Sequence, residues 1–251
     1  MSRESFDPSL FEPLADVEER SFWFRARNRL IVSTFRRRFP DATSFLEVGC
    51  GGGVVLAAIA DALPQIRLVG GELYEEGLAV ARRRLPDVEL RALDARDIGY
   101  EDEFDVVGAF DVIEHIDEDE QVLAQMVRAT RPGGGVLVLV PQHRWLWSEH
   151  DKIVEHRRRY TRKELVAKAK RAGIEVVEVT SFVTSLMPAM IVSRAVDRVR
   201  KQTDPIANLE PGPLNGLFER MLDGERKLIE HGVSLPFGGS LMLVGRKPQL
   251  P

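Results

Sequence analysis

The sequence contains a single cysteine, Cys50, so no disulfide can close within the chain, and a reducing compartment suits it. No apolar run approaches the roughly 18 residues that a membrane span needs. The first twenty residues, MSRESFDPSLFEPLADVEER, lack the charged-then-apolar order of a secretory signal. Internal repeats and low-complexity tracts are missing as well. The net charge of −4 gives no general attraction to nucleic acid. These absences predict a cytoplasmic protein with no membrane span and no nucleic-acid partner. What is present supports a folded core: 44% of the 251 residues are hydrophobic and 29% are charged.

The most informative stretch is FLEVGCGGGVV, residues 45–55. Phe45, Leu46 and Val48 read as a short buried strand. Residues 53–63 read as a helix that ends before Pro64. Between them stand Gly49, Gly51, Gly52 and Gly53, which allow a tight turn and let a ligand touch bare main chain. A strand, a glycine-rich turn and a helix start point free N–H groups at a ligand. A dinucleotide fingerprint would need glycines at the first, third and sixth positions. Gly49 and Gly51 fill the first two, but the sixth is Val54. Glu47, two residues before the first glycine, suits a cationic ligand instead. S-adenosylmethionine, with an ammonium and a sulfonium and no phosphates, is such a ligand.

The rest of the chain alternates. Residues 14–39 read as a helix ending at Pro40. Strands IRLVGGE, VELRAL, FDVVGAF and GVLVLV are interleaved with helices at 75–85 and near 118–131. Thr161 to Glu164 reads as a capping box opening a helix that stops at Gly173. IEVVEVTSF is a further strand. Two helices, about 184–201 and 214–231, flank the looser QTDPIANLEPGP, and GGSLMLVGRK is the last strand. Strands alternating with helices predict a parallel sheet covered on both faces. One α/β domain is expected over 1–251. It has an N-terminal helical cap (1–40), a core (41–182), a helical insert acting as a lid (183–234) and a final strand (235–251).

Ligands of open parallel sheets sit at the carboxyl ends of the strands. The second strand ends at Glu72, an acid able to accept from both hydroxyls of a ribose. Glu72 alone also fits a helix-start acid favoured by the dipole. The third leads into Asp94 and Ala95, where a carboxylate suits an adenine amine or an Asx turn. The fourth ends at Phe110 and Asp111.

FLEVGCGGG, VGGEL, ALDARDI and FDVVGAFDVIEHI, in this order and at these intervals, resemble the class I S-adenosylmethionine-dependent methyltransferases. They are most similar to the small-molecule branch that includes ubiquinone-type methylases. RPGGGVLVLVP matches that branch's fifth strand, and WLWSEHDKIVEHRRRYTRKEL is similar to a segment of bacterial members acting in sugar and natural-product pathways. The resemblance spans roughly residues 20–180. It implies a Rossmann-like fold with a seven-stranded, mostly parallel sheet and an antiparallel last strand. It implies that the backbone of Gly49 and Gly51 meets the methionine part of S-adenosylmethionine and that Glu72 holds the ribose. Leu73 would lie against the adenine, Asp94 and Ala95 would address its edge, and Phe110 would lie beside the methionine chain. Glu72 stands where many members carry aspartate, and the GG before it is looser than usual. The product would be S-adenosylhomocysteine and the acceptor an oxygen or nitrogen of a small molecule, a sugar or secondary metabolite. Rival readings are a nicotinamide-dependent oxidoreductase and a partner protein that keeps this fold without catalysis.

Methyl transfer from a sulfonium needs alignment, plus a base where the nucleophile carries a proton. Histidine is the side chain tuned for that near neutral pH. Of His115, His143, His150, His156 and His231, the candidates for the base are His115 and His150. A divalent ion held by Glu114, His115, His150 and Asp151 is the competing use of these groups, and no metal is expected. Arg157, Arg158 and Arg159 offer either a grip for an acceptor phosphate or carboxylate or a solvated face. Arg36 to Arg38 read as compensating a helix dipole. Trp23 and Phe24 are placed to roof the pocket, and Trp145 and Trp147 to line an acceptor site. Residues 184–201 offer apolar faces for a lid, a dimer contact or a peripheral membrane contact.

Overall fold

The computed structural model describes residues 6–200 and 210–249, apart from the side chains of residues 195 and 197–200. Of the loose connection expected over 202–213, residues 202–209 lie outside the described residues. Seven strands, β1 (Ser44–Val48), β2 (Arg67–Glu72), β3 (Glu89–Ala92), β4 (Phe104–Phe110), β5 (Thr130–Pro141), β6 (Glu175–Phe182) and β7 (Ser240–Arg246), form one sheet in the order β3-β2-β1-β4-β5-β7-β6. The first five pair in parallel, and β7 runs antiparallel to both β5 and β6. This is the seven-stranded, mostly parallel α/β sheet with an antiparallel last strand that the sequence implied.

Successive side chains of a strand point to opposite faces. Phe45, Val106, Leu137 and Met242 accordingly fill one buried layer. Leu46, Val48, Val107, Val138 and Leu243 fill the other. Both faces are covered by helices: α1 (Phe11–Arg20), α2 (Phe22–Arg38), α3 (Val54–Ala62), α4 (Glu75–Arg84), α5 (Asp119–Ala129), α6 (Glu149–Ile153), α7 (Arg162–Arg171), α8 (Met187–Arg200) and α9 (Asn215–Glu230).

Several boundaries differ from the expectation. The helix expected over 14–39 is two helices, because Ser21 takes an extended conformation (φ −72°, ψ 131°) that closes α1 and opens α2. The helix expected to 131 stops at Ala129, because Thr130 pairs with Phe104 and starts β5 early. Half of the capping box forms: Thr161 Oγ1 accepts from Glu164 N at 3.2 Å, while the Glu164 carboxylate takes Arg144 at 2.9 Å. Arg37 and Arg38 go beyond a dipole role, since both pair with Glu178 of β6. The GG of β2 follows from close packing. A Cβ on Gly70 would lie 2.6 Å from Leu56, and one on Gly71 would lie 2.8 Å from Leu93.

Among the described residues, the helical insert carries α8 and α9. Its α9 packs on α2, with Phe218 against Phe22 at 5.3 Å between ring centroids, and buries Leu222 and Ile229. Asn215 joins the two further by accepting from Phe22 N at 2.8 Å. Glu219 and Asp223 pair with Arg29. Among the described residues, no helix is long and apolar enough to cross a membrane.

Candidate functional site

The sheet changes direction of growth between β1 and β4, and the crevice outside their carboxyl ends is where open α/β sheets bind ligands. A cavity of about 680 Å³ opens there, a size typical of small-molecule sites. Glu47, Gly49, Gly51, Glu72, Leu73, Asp94, Ala95, Phe110 and His115 all line it. The structure thus gathers every residue expected to touch a cofactor, and one of the two expected bases, around a single space.

The glycine turn is built on left-handed backbone. Gly49, Gly51 and Gly53 all have positive φ, at 69°, 53° and 78°. A Cβ on Gly49 would come within 2.6 Å of Val112, whereas one on Gly51 would find only Phe11, at 3.6 Å. Gly49 is therefore bare so that the turn can pass the segment after β4, and Gly51 leaves main chain open to the cavity. Gly51 N donates to Glu72 Oε2 at 2.9 Å, and Tyr74 N donates to Glu72 Oε1 at 3.0 Å. Glu72 thereby caps the start of α4 and props the glycine turn, and each of its oxygens keeps a second lone pair for a ligand.

The walls are acidic. Seven carboxylates (Glu18, Glu47, Glu72, Asp94, Asp111, Asp117 and Glu118) line the cavity against three guanidiniums, those of Arg27, Arg96 and Arg157. Glu47 is 2% exposed, and its Oε2 has no hydrogen-bond partner among the described residues. Burial pushes its carboxyl well above the usual range, with Arg27 opposing and Glu18 and Glu72 adding to the rise. Burial also raises Glu72 and Glu18. Asp94 differs: Arg96 chelates it at 2.9 and 2.7 Å, its own loop amide donates at 2.9 Å, and its carboxyl is held below the ordinary value. The Asx-turn reading of Asp94 is therefore correct, and its carboxylate already has a partner at the cavity edge.

The N-terminal segment contributes Phe6, ahead of its first helix, together with Phe11 and Leu14 of α1 and Phe24 of α2. Trp23 is not among the lining residues; its ring lies against Phe24 at 4.8 Å and takes the Arg27 guanidinium at 4.9 Å. Arg27 is 6% exposed and pairs with Asp111 at 2.5 Å. Asp111 itself sits at φ 57° where β4 ends. Such left-handed backbone in a residue other than glycine is stored strain of the kind that clusters at functional sites. Sequence reading missed Arg27, because a lone arginine within a helix gives no sign of which way the helix will face.

The C-terminal candidates separate. His150, on α6, does not line the cavity, and burial with the nearby Arg194 pushes its imidazole down to about 4. Neither Trp145 nor Trp147 lines it; Trp145 instead stacks on Phe237 at 5.9 Å, with the His143 ring beside both. The three arginines part company: Arg157 lines the cavity, Arg158 pairs with Asp117 and Asp119, and Arg159 is buried on Asp151 at 2.7 Å. The set Glu114, His115, His150 and Asp151 does not assemble either. Glu114, His115 and His156 do, with one ligand atom from each lying within 4.8 Å of the others. Among the described residues, none of the helical insert 183–234 lines the cavity.

Comparison with known proteins agrees with the geometry. Residues 46–138 match the family described as "Methyltransferase domain". A Mycolicibacterium smegmatis protein named "Probable S-adenosylmethionine-dependent methyltransferase" is 32% identical over 163 residues, covering 64% of this chain and 62% of that protein. A ubiquinone biosynthesis O-methyltransferase of Thiobacillus denitrificans is 35% identical over 139 residues, 52% of this chain and 55% of the relative. The chain thus spans less than two thirds of the length of these curated relatives. Among solved structures, Haemonchus contortus phosphoethanolamine N-methyltransferase 2 in complex with S-adenosyl-L-methionine superposes with a TM-score of 0.60. The match has 20% identity and covers 88% of this chain and 53% of that one.

Proposed function

We infer that this chain, whose residues 46–138 match a methyltransferase domain, is an enzyme that transfers the methyl group of S-adenosylmethionine to a small-molecule acceptor. The observation that carries this reading is the acidic cavity behind a bare-backbone turn, with seven carboxylates against three guanidiniums. Such a wall favours a cation, and S-adenosylmethionine brings a sulfonium and an ammonium.

The backbone of Gly49 and Gly51 then meets the methionine part, with Phe110 beside its chain. Glu47 supplies negative charge next to the ammonium, and Arg27 complements the methionine carboxylate. Glu72 accepts from the ribose, Leu73 lies against the adenine, and Ala95 with the Asp94 turn addresses its edge. Transfer is an in-line displacement. An electron pair of the acceptor forms the new bond to the methyl carbon, the carbon–sulfur bond breaks, and sulfur keeps the pair as the thioether of S-adenosylhomocysteine. The protein's share is alignment, plus removal of the acceptor proton. His115, the one expected base that lines the cavity, is placed for that second task and favours an oxygen acceptor. A sugar or secondary metabolite fits the cavity's size, and Arg157 provides a cationic point for an acidic substituent on it.

Titration calorimetry with S-adenosylmethionine, S-adenosylhomocysteine and NAD tests the reading. Micromolar or tighter binding of the first two, with NAD inert, is the expected result. A folded protein that binds neither adenosyl compound, or prefers NAD, overturns it.

A further inference from the structure

We propose that Glu114, His115 and His156 form a binding site for a first-row divalent cation, zinc foremost, in the inner wall of the cavity. Their ligand atoms gather within 4.8 Å. His156 Nε2 lies 3.9 Å from Glu114 Oε1, and the two imidazoles meet edge to face with centroids 4.7 Å apart. Zinc bound at about 2.0–2.2 Å sets its ligand atoms roughly 3.3 Å apart, so small side-chain rotations close the set.

Two independent features of the surroundings point to a cation. The Glu114 side chain is fully buried, and neither of its oxygens has a hydrogen-bond partner among the described residues. An ionised carboxylate in that state is strongly disfavoured unless a positive group joins it. Arg159 is engaged on Asp151 and Arg27 on Asp111, and among the described residues no guanidinium hydrogen-bonds the Glu114 carboxylate. The second feature is Asp151, fully buried, whose Oδ1 lies 2.9 Å from His156 Nδ1. Asp151 is itself fixed by Ser148 N at 2.8 Å and Arg159 Nε at 2.7 Å. A carboxylate on the far nitrogen of an imidazole is the arrangement that orients metal-binding histidines, and here it turns Nε2 toward Glu114.

Two imidazoles and one carboxylate leave a tetrahedral ion a fourth position. Of the three, His115 lines the cavity, which brings the ion's surroundings to its wall. This last step rests on the methyl-transfer reading. An acceptor hydroxyl bound there would be acidified. Its O–H bond would break with the proton passing to water, its oxygen would bond to the methyl carbon, and the carbon–sulfur bond would break with the electron pair staying on sulfur. With the ion in place His115 is a ligand, and the ion takes over its part in removing the proton.

The test uses the full chain, stripped with a chelator and then titrated with Zn²⁺ and, separately, with Co²⁺. One Zn²⁺ per chain at micromolar or tighter affinity is expected, with visible Co²⁺ absorption bands. Glu114→Gln and His156→Ala should each weaken binding by at least 100-fold. Asp151→Asn should weaken it about 10-fold, and His150→Ala should leave it unchanged. Absence of stoichiometric binding, or wild-type affinity in both Glu114→Gln and His156→Ala, overturns the proposal. Should either variant fold poorly, His115→Ala decides in its place: an unaltered Co²⁺ spectrum refutes the site. S-adenosylhomocysteine titrated into the stripped protein keeps the two claims apart. Intact cofactor binding without cation binding defeats the metal site alone, whereas lost cofactor binding defeats the methyl-transfer reading.

Discussion

Gly51 donates its backbone N–H to Glu72 at 2.9 Å, so the first turn of the sheet and the end of its second strand are one hydrogen-bonded unit. The acid that would hold a ribose also shapes the turn that would hold the methionine part. Glu72→Gln should therefore affect both ends of the cofactor, with a loss of affinity on the order of 10–100-fold. Calorimetry with S-adenosylhomocysteine reads this directly. An unchanged dissociation constant would remove Glu72 from the site.

Glu47 gives the opposite balance between stability and binding. Its folded carboxyl is raised by burial, so the folded state favours the protonated form. Stability is then lost as pH rises from the unfolded value of about 4.3 toward the raised folded one. Glu47→Gln removes that cost. Its melting temperature in the absence of cofactor should exceed the wild type's at pH 7, by roughly 2–4 °C for each kcal/mol relieved, and the gap should close near pH 4. The same variant should bind S-adenosylmethionine about 10-fold more weakly. Melting curves across pH, run beside calorimetry, check both halves.

Asp105 is the reverse case. Burial alone would raise its carboxyl, but hydrogen bonds from Thr43, Ser44 and Arg131 outweigh it and bring the value to about 2. The depressed folded value means a stabilising contribution that is complete above the unfolded value near 3.8 and is lost as pH falls toward about 2. The difference corresponds to about 2 kcal/mol. Asp105→Asn should lower unfolding free energy by about that amount at pH 7. In chemical denaturation the penalty should fade between pH 4 and pH 2.

The two exposed-backbone glycines should behave differently. Gly49→Ala places a methyl 2.6 Å from Val112 at φ 69° and should cost about 1–3 kcal/mol of stability. It should also disturb His115, whose N–H is held by Val112 O at 3.0 Å. Gly51→Ala meets only Phe11 at 3.6 Å, so it should lose less stability and proportionately more cofactor affinity. Equal effects of the two on melting temperature would contradict this division.

Most of the cofactor half was legible in the chain because its signals are local. Strand, glycine turn and helix at 45–62 are adjacent in sequence, and Glu72, Asp94 and Phe110 mark strand ends that hydropathy alone locates. The histidine side of the cavity was less legible because it depends on long-range placement. His115 and His156 lie 41 positions apart and meet only through the loop after β5, so His150 looked equally well placed. Arg157, Arg158 and Arg159 form one charge run in sequence, yet they serve the cavity, the Asp117 and Asp119 carboxylates, and the buried Asp151 in turn. Thr161 and Glu164 carried a complete capping signal, but Arg144, 20 positions away from Glu164, captured the carboxylate.

The position of β7 between β5 and β6 orders the assembly of the sheet during synthesis. Strands β1 to β5, with the glycine turn and all the acids that end them, are complete in sequence by Pro141. β6 has no strand neighbour until residues 240–246 arrive, 58 positions after its end at Phe182, and until then the edge of β5 is open to any passing strand. A ribosome-bound chain would thus carry five paired strands beside an unfinished flank, and the final seven-residue strand joins β5 to β6 in one step.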